Sequence, residues 1–303
     1  MRQARGMTEN FARHGDVRIA YEVEGPAGGE PLLLIMGLGL QMLFWPEDFR
    51  ALLTEHGFRV ARFDNRDVGL STHLDALPPP SPLDLALRRR PGYALADMAA
   101  DALAVMDALG WESAHVAGVS LGGMIAQTVA TGHPERVRSL TSISSTPSPR
   151  IGRPRPPAMA ALLRRPATGR EDAARHVVET FRAIGSPAYR RDEQWLREMA
   201  RRSYDRAHDP AGVRRQLAAV VSAADRRPAL RRLRLPALVV HGGADPLVRL
   251  PGGVATARAI AGAKLVVHPG MGHDLPNALQ PGIAADIAAL ARGDHRRQRG
   301  AAG

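Results

Sequence analysis

Gly118-Val119-Ser120-Leu121-Gly122 has the spacing G-x-S-x-G. A serine in that setting is a candidate nucleophile when a strand runs into the motif and a helix starts on it, because the turn between them is sharp and strained. Residues 114–118 read as such a strand and 121–132 as such a helix. Glycine is needed on both flanks, since a Cβ at either position would collide with the neighbouring strand and helix. The turn also places the hydroxyl at a helix N-terminus. There the Leu121 N–H and the helix dipole favour a developing oxyanion.

A hydroxyl needs a general base. The chain has 11 histidines. His56 and His133 fall at expected helix ends, and His14, His208 and His295 at expected loop or surface positions. His273 is the candidate, because Pro269-Gly270-Met271-Gly272-His273 follows the last expected strand and its glycines let the side chain swing over the sheet edge. His268 is the rival, at a strand end and expected inside the fold. The base needs an orienting carboxylate. Asp245 supplies one in His241-Gly242-Gly243-Ala244-Asp245-Pro246, after another expected strand. The other loop that could hold the acid, Ser144-Ser145-Thr146-Pro147, has no carboxylate. A second oxyanion donor is expected from Met36-Gly37-Leu38-Gly39-Leu40, with the N–H of Leu38 favoured because Gly37 gives the backbone room. Leu40, Met42, Phe44, Trp45 and Met124 are the candidates for an apolar substrate pocket.

The elements that must position these residues follow from hydrophobic periodicity. Strands are expected over 17–23, 31–36, 59–64, 114–118, 137–144, 235–241 and 263–267. Helices are expected over 46–56, 95–109, 121–132, 253–261 and 281–292, with Gly110 stopping the second. Alternating β and α elements imply a largely parallel sheet with helices on both faces. Residues 147–157 are dense in Pro and Arg, which disfavours helix and sheet. Residues 158–221 then read as several helices without a strand. The expected organisation is an α/β core over 1–146 and 233–303, interrupted by a helical cap over 147–232. Insertions at the carboxyl edge of a parallel sheet sit over the ligand site. The tail from Gly293 onward is expected to fray, and Met7 is an alternative start to Met1.

The 303 residues contain 45% hydrophobic and 23% charged side chains, as in an ordinary globular protein, and no cysteine. A disulfide scaffold, a thiolate nucleophile and a Cys-based metal site are excluded. No apolar run is long enough to span a membrane, and no secretory signal is evident, so a cytoplasmic location is expected. The net charge of +11 raises the possibility of a nucleic-acid partner, but aromatic residues are only 4% and Lys264 is the single lysine. Arg excess alongside abundant Ala, Gly and Pro fits a coding-composition bias better than a stacking surface. No nucleic-acid or membrane partner, cofactor or metal is expected, and oligomeric state is not readable.

The chain resembles the α/β-hydrolase fold family across nearly its whole length, in the branch that includes aclacinomycin methylesterase and other bacterial serine hydrolases. The residues carrying the likeness are Leu33-Leu34-Ile35-Met36-Gly37, Trp45-Pro46-Glu47-Asp48-Phe49, Phe63-Asp64-Asn65-Arg66-Asp67-Val68-Gly69-Leu70-Ser71, Asp97-Met98-Ala99, the Gly118–Gly122 motif, Ala244-Asp245-Pro246 and the Pro269–His273 segment. The chain departs from the fold's usual His-Gly at Met36-Gly37, and from that branch's Gly-Asn at Leu38-Gly39. The resemblance implies Ser120, Asp245 and His273 as a catalytic triad, Leu38 and Leu121 as oxyanion donors, and cleavage of a carboxylic ester of a small apolar molecule without a cofactor. A serine nucleophile argues against epoxide hydrolysis and dehalogenation, which use a carboxylate on this fold. Lactone, thioester, amide or C–C cleavage, perhydrolysis and a non-catalytic ligand receptor remain open alternatives.

Overall fold

The computed structural model describes residues 10–88 and 92–293. The alternative start at Met7, His295 and the tail beyond Gly293 lie outside them. Eight strands form one sheet: β1 (Asn10–His14), β2 (Val17–Glu24), β3 (Glu30–Ile35), β4 (Phe58–Phe63), β5 (Ala114–Val119), β6 (Val137–Ile143), β7 (Ala237–Gly242) and β8 (Lys264–His268). Their order is β1-β2-β4-β3-β5-β6-β7-β8. β1–β2 and β2–β4 pair antiparallel, and all other pairs are parallel.

The helices are α1 (Glu47–Glu55), α2 (Pro82–Ala86), α3 (Leu95–Ala108), α4 (Leu121–Gly132), α5 (Pro156–Leu162), α6 (Arg170–Ile184), α7 (Glu193–Arg206), α8 (Pro210–Ser222), α9 (Arg227–Leu230), α10 (Pro251–Ala259) and α11 (Gln280–Ala291). β3 shows why the core has two layers. Leu33 and Ile35 pack with α3 and α4, while Leu32 and Leu34 pack with α1 and α11. Period-2 alternation buries both faces of one apolar run, as a central parallel strand requires. Helices α5 to α9, with no strand among them, lie between β6 and β7.

β1, α2 and α9 were not expected from sequence. β1 is an edge strand that turns into β2 at Gly15, whose φ is +58°. Only Ala12 of its five residues is buried, so its pattern carries little apolar signal. His14 ends this strand and bonds Asp101 at 3.0 Å, rather than sitting free on a surface loop. α2 is one short turn held by a Ser81–Asp84 capping box. No helix among the described residues is long and apolar enough to cross a membrane.

Candidate active site

Every candidate residue lies beyond the carboxyl end of a strand: Leu38 after β3, Ser120 after β5, Asp245 after β7 and His273 after β8. Ser120 has φ +56° and ψ −118°, a strained conformation for a residue with a Cβ. Close packing of glycines enforces it. A Cβ on Gly118 would lie 2.1 Å from the Gly122 carbonyl oxygen, and one on Gly122 would lie 2.0 Å from the Ile35 carbonyl oxygen. Ser145 Oγ donates to the Ser120 carbonyl at 2.7 Å, tying the turn to the loop after β6.

The structure brings the three polar side chains into one line. His273 Nε2 is 2.9 Å from Ser120 Oγ, and His273 Nδ1 is 2.7 Å from Asp245 Oδ2. Asp245 is 4% exposed and His273 8%, so little water competes for these contacts. The other carboxylate oxygen, Oδ1, accepts from the Leu247 and Val248 N–H groups at 2.8 and 2.9 Å. His241 lies behind this acid, fully buried, and donates from Nε2 to the Val248 carbonyl at 2.7 Å. Burial holds its pKa below the ordinary value, with the neighbouring His273 acting in the same direction, against that hydrogen bond and Asp245. His268 instead ends β8, half-buried and away from this line.

The loop after β3 is fixed from three sides. Asn65 Nδ2 donates to the Met36 carbonyl at 3.0 Å, the Gly39 N–H to Gln216 Oε1 at 2.9 Å, and the Met42 N–H to Asp64 Oδ1 at 2.8 Å. Burial raises the Asp64 carboxyl above its usual range, against Arg206 and the Met42 and Leu70 N–H groups. Gly37 faces the serine, since a Cβ there would sit 3.4 Å from Ser120 Cβ. The N–H groups of Leu38 and Leu121 reach no backbone acceptor among the described residues. Both residues line the cavity beside Ser120.

That cavity has a volume of about 690 Å³ and a mostly apolar wall. Leu40, Phe44, Trp45 and Met124 line it as expected, together with Trp195 and Leu217 from the helices between β6 and β7. Met42 does not. Its backbone is held by Asp64, and its side chain is fully buried in the core. Arg153 in the Pro/Arg-rich segment lines the cavity, whereas Arg164 just after it pairs with Glu179.

Sequence reasoning missed a set of contacts between the helical insertion and the loop that carries His273. The His273 N–H donates to the Ile184 carbonyl at 2.7 Å and the Gly272 N–H to Ser186 Oγ at 2.8 Å. Ser186 Oγ in turn donates to Asp274. Nothing in the sequence signals this, because the partners are 86 to 89 residues apart in the chain. Asp67, His73 and Asp209 have the grouping of metal ligands. Arg215 stands among them, bonding Asp67 at 2.9 and 2.7 Å and Asp209 at 3.1 Å, so the acids are satisfied as an ion-pair network.

A mostly parallel sheet with a strained serine elbow and a buried histidine–carboxylate pair is the arrangement of a serine hydrolase of the α/β type. The chain belongs to the α/β hydrolase fold family, whose model matches residues 30–276. It is 31% identical to rhodomycin D methylesterase of Streptomyces peucetius, over 94% of this chain and 99% of that one. A putative carbamate hydrolase of Variovorax paradoxus is 40% identical, over 43% of each chain. Among solved structures, the enol-lactonase of Burkholderia xenovorans has the same fold, with TM-score 0.73 at 24% identity, covering 93% of this chain and 99% of that one.

Proposed function

We propose that the chain is a serine hydrolase that cleaves a carboxylic ester of a small, largely apolar molecule through an acyl-enzyme. The observation that carries this is the continuous hydrogen-bonded line from Ser120 Oγ through His273 to Asp245, opening on an apolar cavity. Ser120 Oγ attacks the ester carbonyl while its proton passes to His273 Nε2. Asp245 accepts from Nδ1, which fixes the tautomer and stabilises the imidazolium. The N–H groups of Leu38 and Leu121 receive the tetrahedral oxyanion, each worth about 3 kcal/mol in the transition state. Collapse breaks the C–O bond, and the imidazolium protonates the departing alcohol. A water then repeats the sequence on the acyl group, giving up a proton to His273 and releasing the acid and free Ser120.

Residues 147–232 act as a cap over the core formed by 1–146 and 233–303. The methyl ester cleaved by the methylesterase relative supports a small alcohol as leaving group. The substrate is a small dissolved molecule of the cytoplasm. Hydrolysis of 4-nitrophenyl esters of graded acyl length tests the reading. Wild type should turn them over and Ser120→Ala should not; equal rates for the two proteins would remove Ser120 from the reaction.

A further inference from the structure

We infer that the cavity accepts an ester carrying a second, free carboxylate, and that Arg191 binds it. This deepens the esterase reading and rests on it. Arg191 lines the catalytic cavity from the connection between α6 and α7. Its Nε is buried and has no hydrogen-bond partner among the described residues. A buried guanidinium N–H without an acceptor costs free energy, so its retention in a ligand cavity points to an acceptor that arrives with the ligand.

The same protein shows what that acceptor is. Arginine Nε and Nη2 form one edge with two parallel N–H groups, which matches a carboxylate. Arg66 uses this edge on Asp101, Arg182 on Glu193, Arg201 on Glu171 and Arg215 on Asp67. Arg191 has the same edge, with its Nε unfilled. The two acids on its wall bond elsewhere, Asp192 Oδ1 accepting from the Trp195 N–H at 2.9 Å and Asp274 Oδ1 from Ser186, and neither is within ion-pair distance of Arg191 among the described residues. Space for the guanidinium is provided by Gly185, where a Cβ would lie 3.0 Å from Arg191 Nη2 and 3.1 Å from Asp274 Oδ2. Asp274 directly follows His273, so the arginine stands next to the loop of the general base. The wall is otherwise mostly apolar, with Arg88, Arg153 and Arg190 also on it. The fitting ligand is therefore an amphipathic ester with an apolar body and one carboxylate.

Two matched pairs of esters test this. One pair is mono-4-nitrophenyl adipate against its neutral methyl ester. The other is 4-acetoxybenzoate against methyl 4-acetoxybenzoate, which places the charge on the leaving group. In one pair at least, wild type should prefer the carboxylate by about tenfold or more in kcat/KM, the range a charge-assisted fork supplies. Arg191→Gln should bring that ratio close to one, and Arg191→Lys should keep part of it. No preference in either pair, or a preference that survives Arg191→Gln, overturns the assignment. If wild type hydrolyses none of the four, the esterase reading fails, and calorimetry then decides the subsite alone. Adipate should bind Ser120→Ala, and binding should be lost in Ser120→Ala/Arg191→Gln. Equal binding or none refutes the subsite.

Discussion

At the residue scale, the site is a set of groups that each have one geometry open to them. Ser120 is held at positive φ by Gly118 and Gly122, which cannot carry a Cβ without meeting backbone at about 2 Å. Gly122→Ala should lower stability by about 1–3 kcal/mol, the usual cost of overpacking, or leave the protein insoluble; a melting temperature equal to that of wild type would contradict the packing argument. Asp245 has three donors on its two oxygens, so Asp245→Asn keeps the shape while presenting an NH₂ to His273 or to the Leu247 and Val248 N–H groups. Asp245→Asn and His273→Ala should each reduce kcat on a small aryl ester by roughly 10³-fold or more with unchanged folding. Near-normal rates would mean that the acid or the base is another residue.

At the element scale, the strands deliver the groups and the loops aim them. Most of this was legible in the sequence. The runs before Gly37, Ser120, Asp245 and His273 read as strands because each is short and apolar, and β2 to β8 each fall within two residues of an expected strand. β1 escaped notice because an edge strand with one buried residue has no clear alternation. Met42 was misplaced for a different reason. A methionine near a site is apolar whether it faces the core or the cavity, and only the bond from its N–H to Asp64 decides. The contacts between the insertion and the His273 loop depend on residues far apart in the chain, which no local pattern reveals. They carry their own prediction. Ser186→Ala leaves the buried Gly272 N–H without an acceptor and removes the Ser186 donor from Asp274, beside His273 on both sides. It should lower kcat by about tenfold with a smaller change in KM, corresponding to about 1.4 kcal/mol. Ser186→Thr should restore most of the rate. An unchanged kcat in Ser186→Ala would show that the core alone positions His273.

At the scale of the whole molecule, the insertion is bound to the core by buried polar contacts. Arg215 on α8 forks Asp67, Arg206 at the end of α7 reaches Asp64 at 2.9 Å, and Gln216 bridges the Gly39 N–H and the Arg66 carbonyl. Breaking one partner of a buried pair leaves the other charge uncompensated. Arg215→Met should therefore destabilise by about 3–5 kcal/mol, read as a fall in the denaturation midpoint, and an unchanged midpoint would count against a rigid attachment. Stability should also fall in acid. The His115 imidazole in β5 is pushed down from 6.5 to about 4, by burial first and then by Arg138, with Glu30 opposing. Below about pH 6.5 the unfolded chain binds a proton that the fold refuses, so stability is full above that value and is lost as pH falls toward 4. The loss is about 1.4 kcal/mol per pH unit. The melting temperature of His115→Gln should fall less than that of wild type between pH 7 and 5, and parallel falls would remove His115 as a cause.

The central claim is that Ser120 Oγ is the nucleophile that carries the acyl group of a covalent intermediate, with His273 taking its proton. It is tested most directly by treating wild type with a fluorophosphonate and locating the added mass by peptide mass spectrometry. The adduct should sit on the peptide containing Ser120, form slowly or not at all in His273→Ala, and be absent from Ser120→Ala. An adduct on another residue, or equal labelling of all three proteins, would contradict the account.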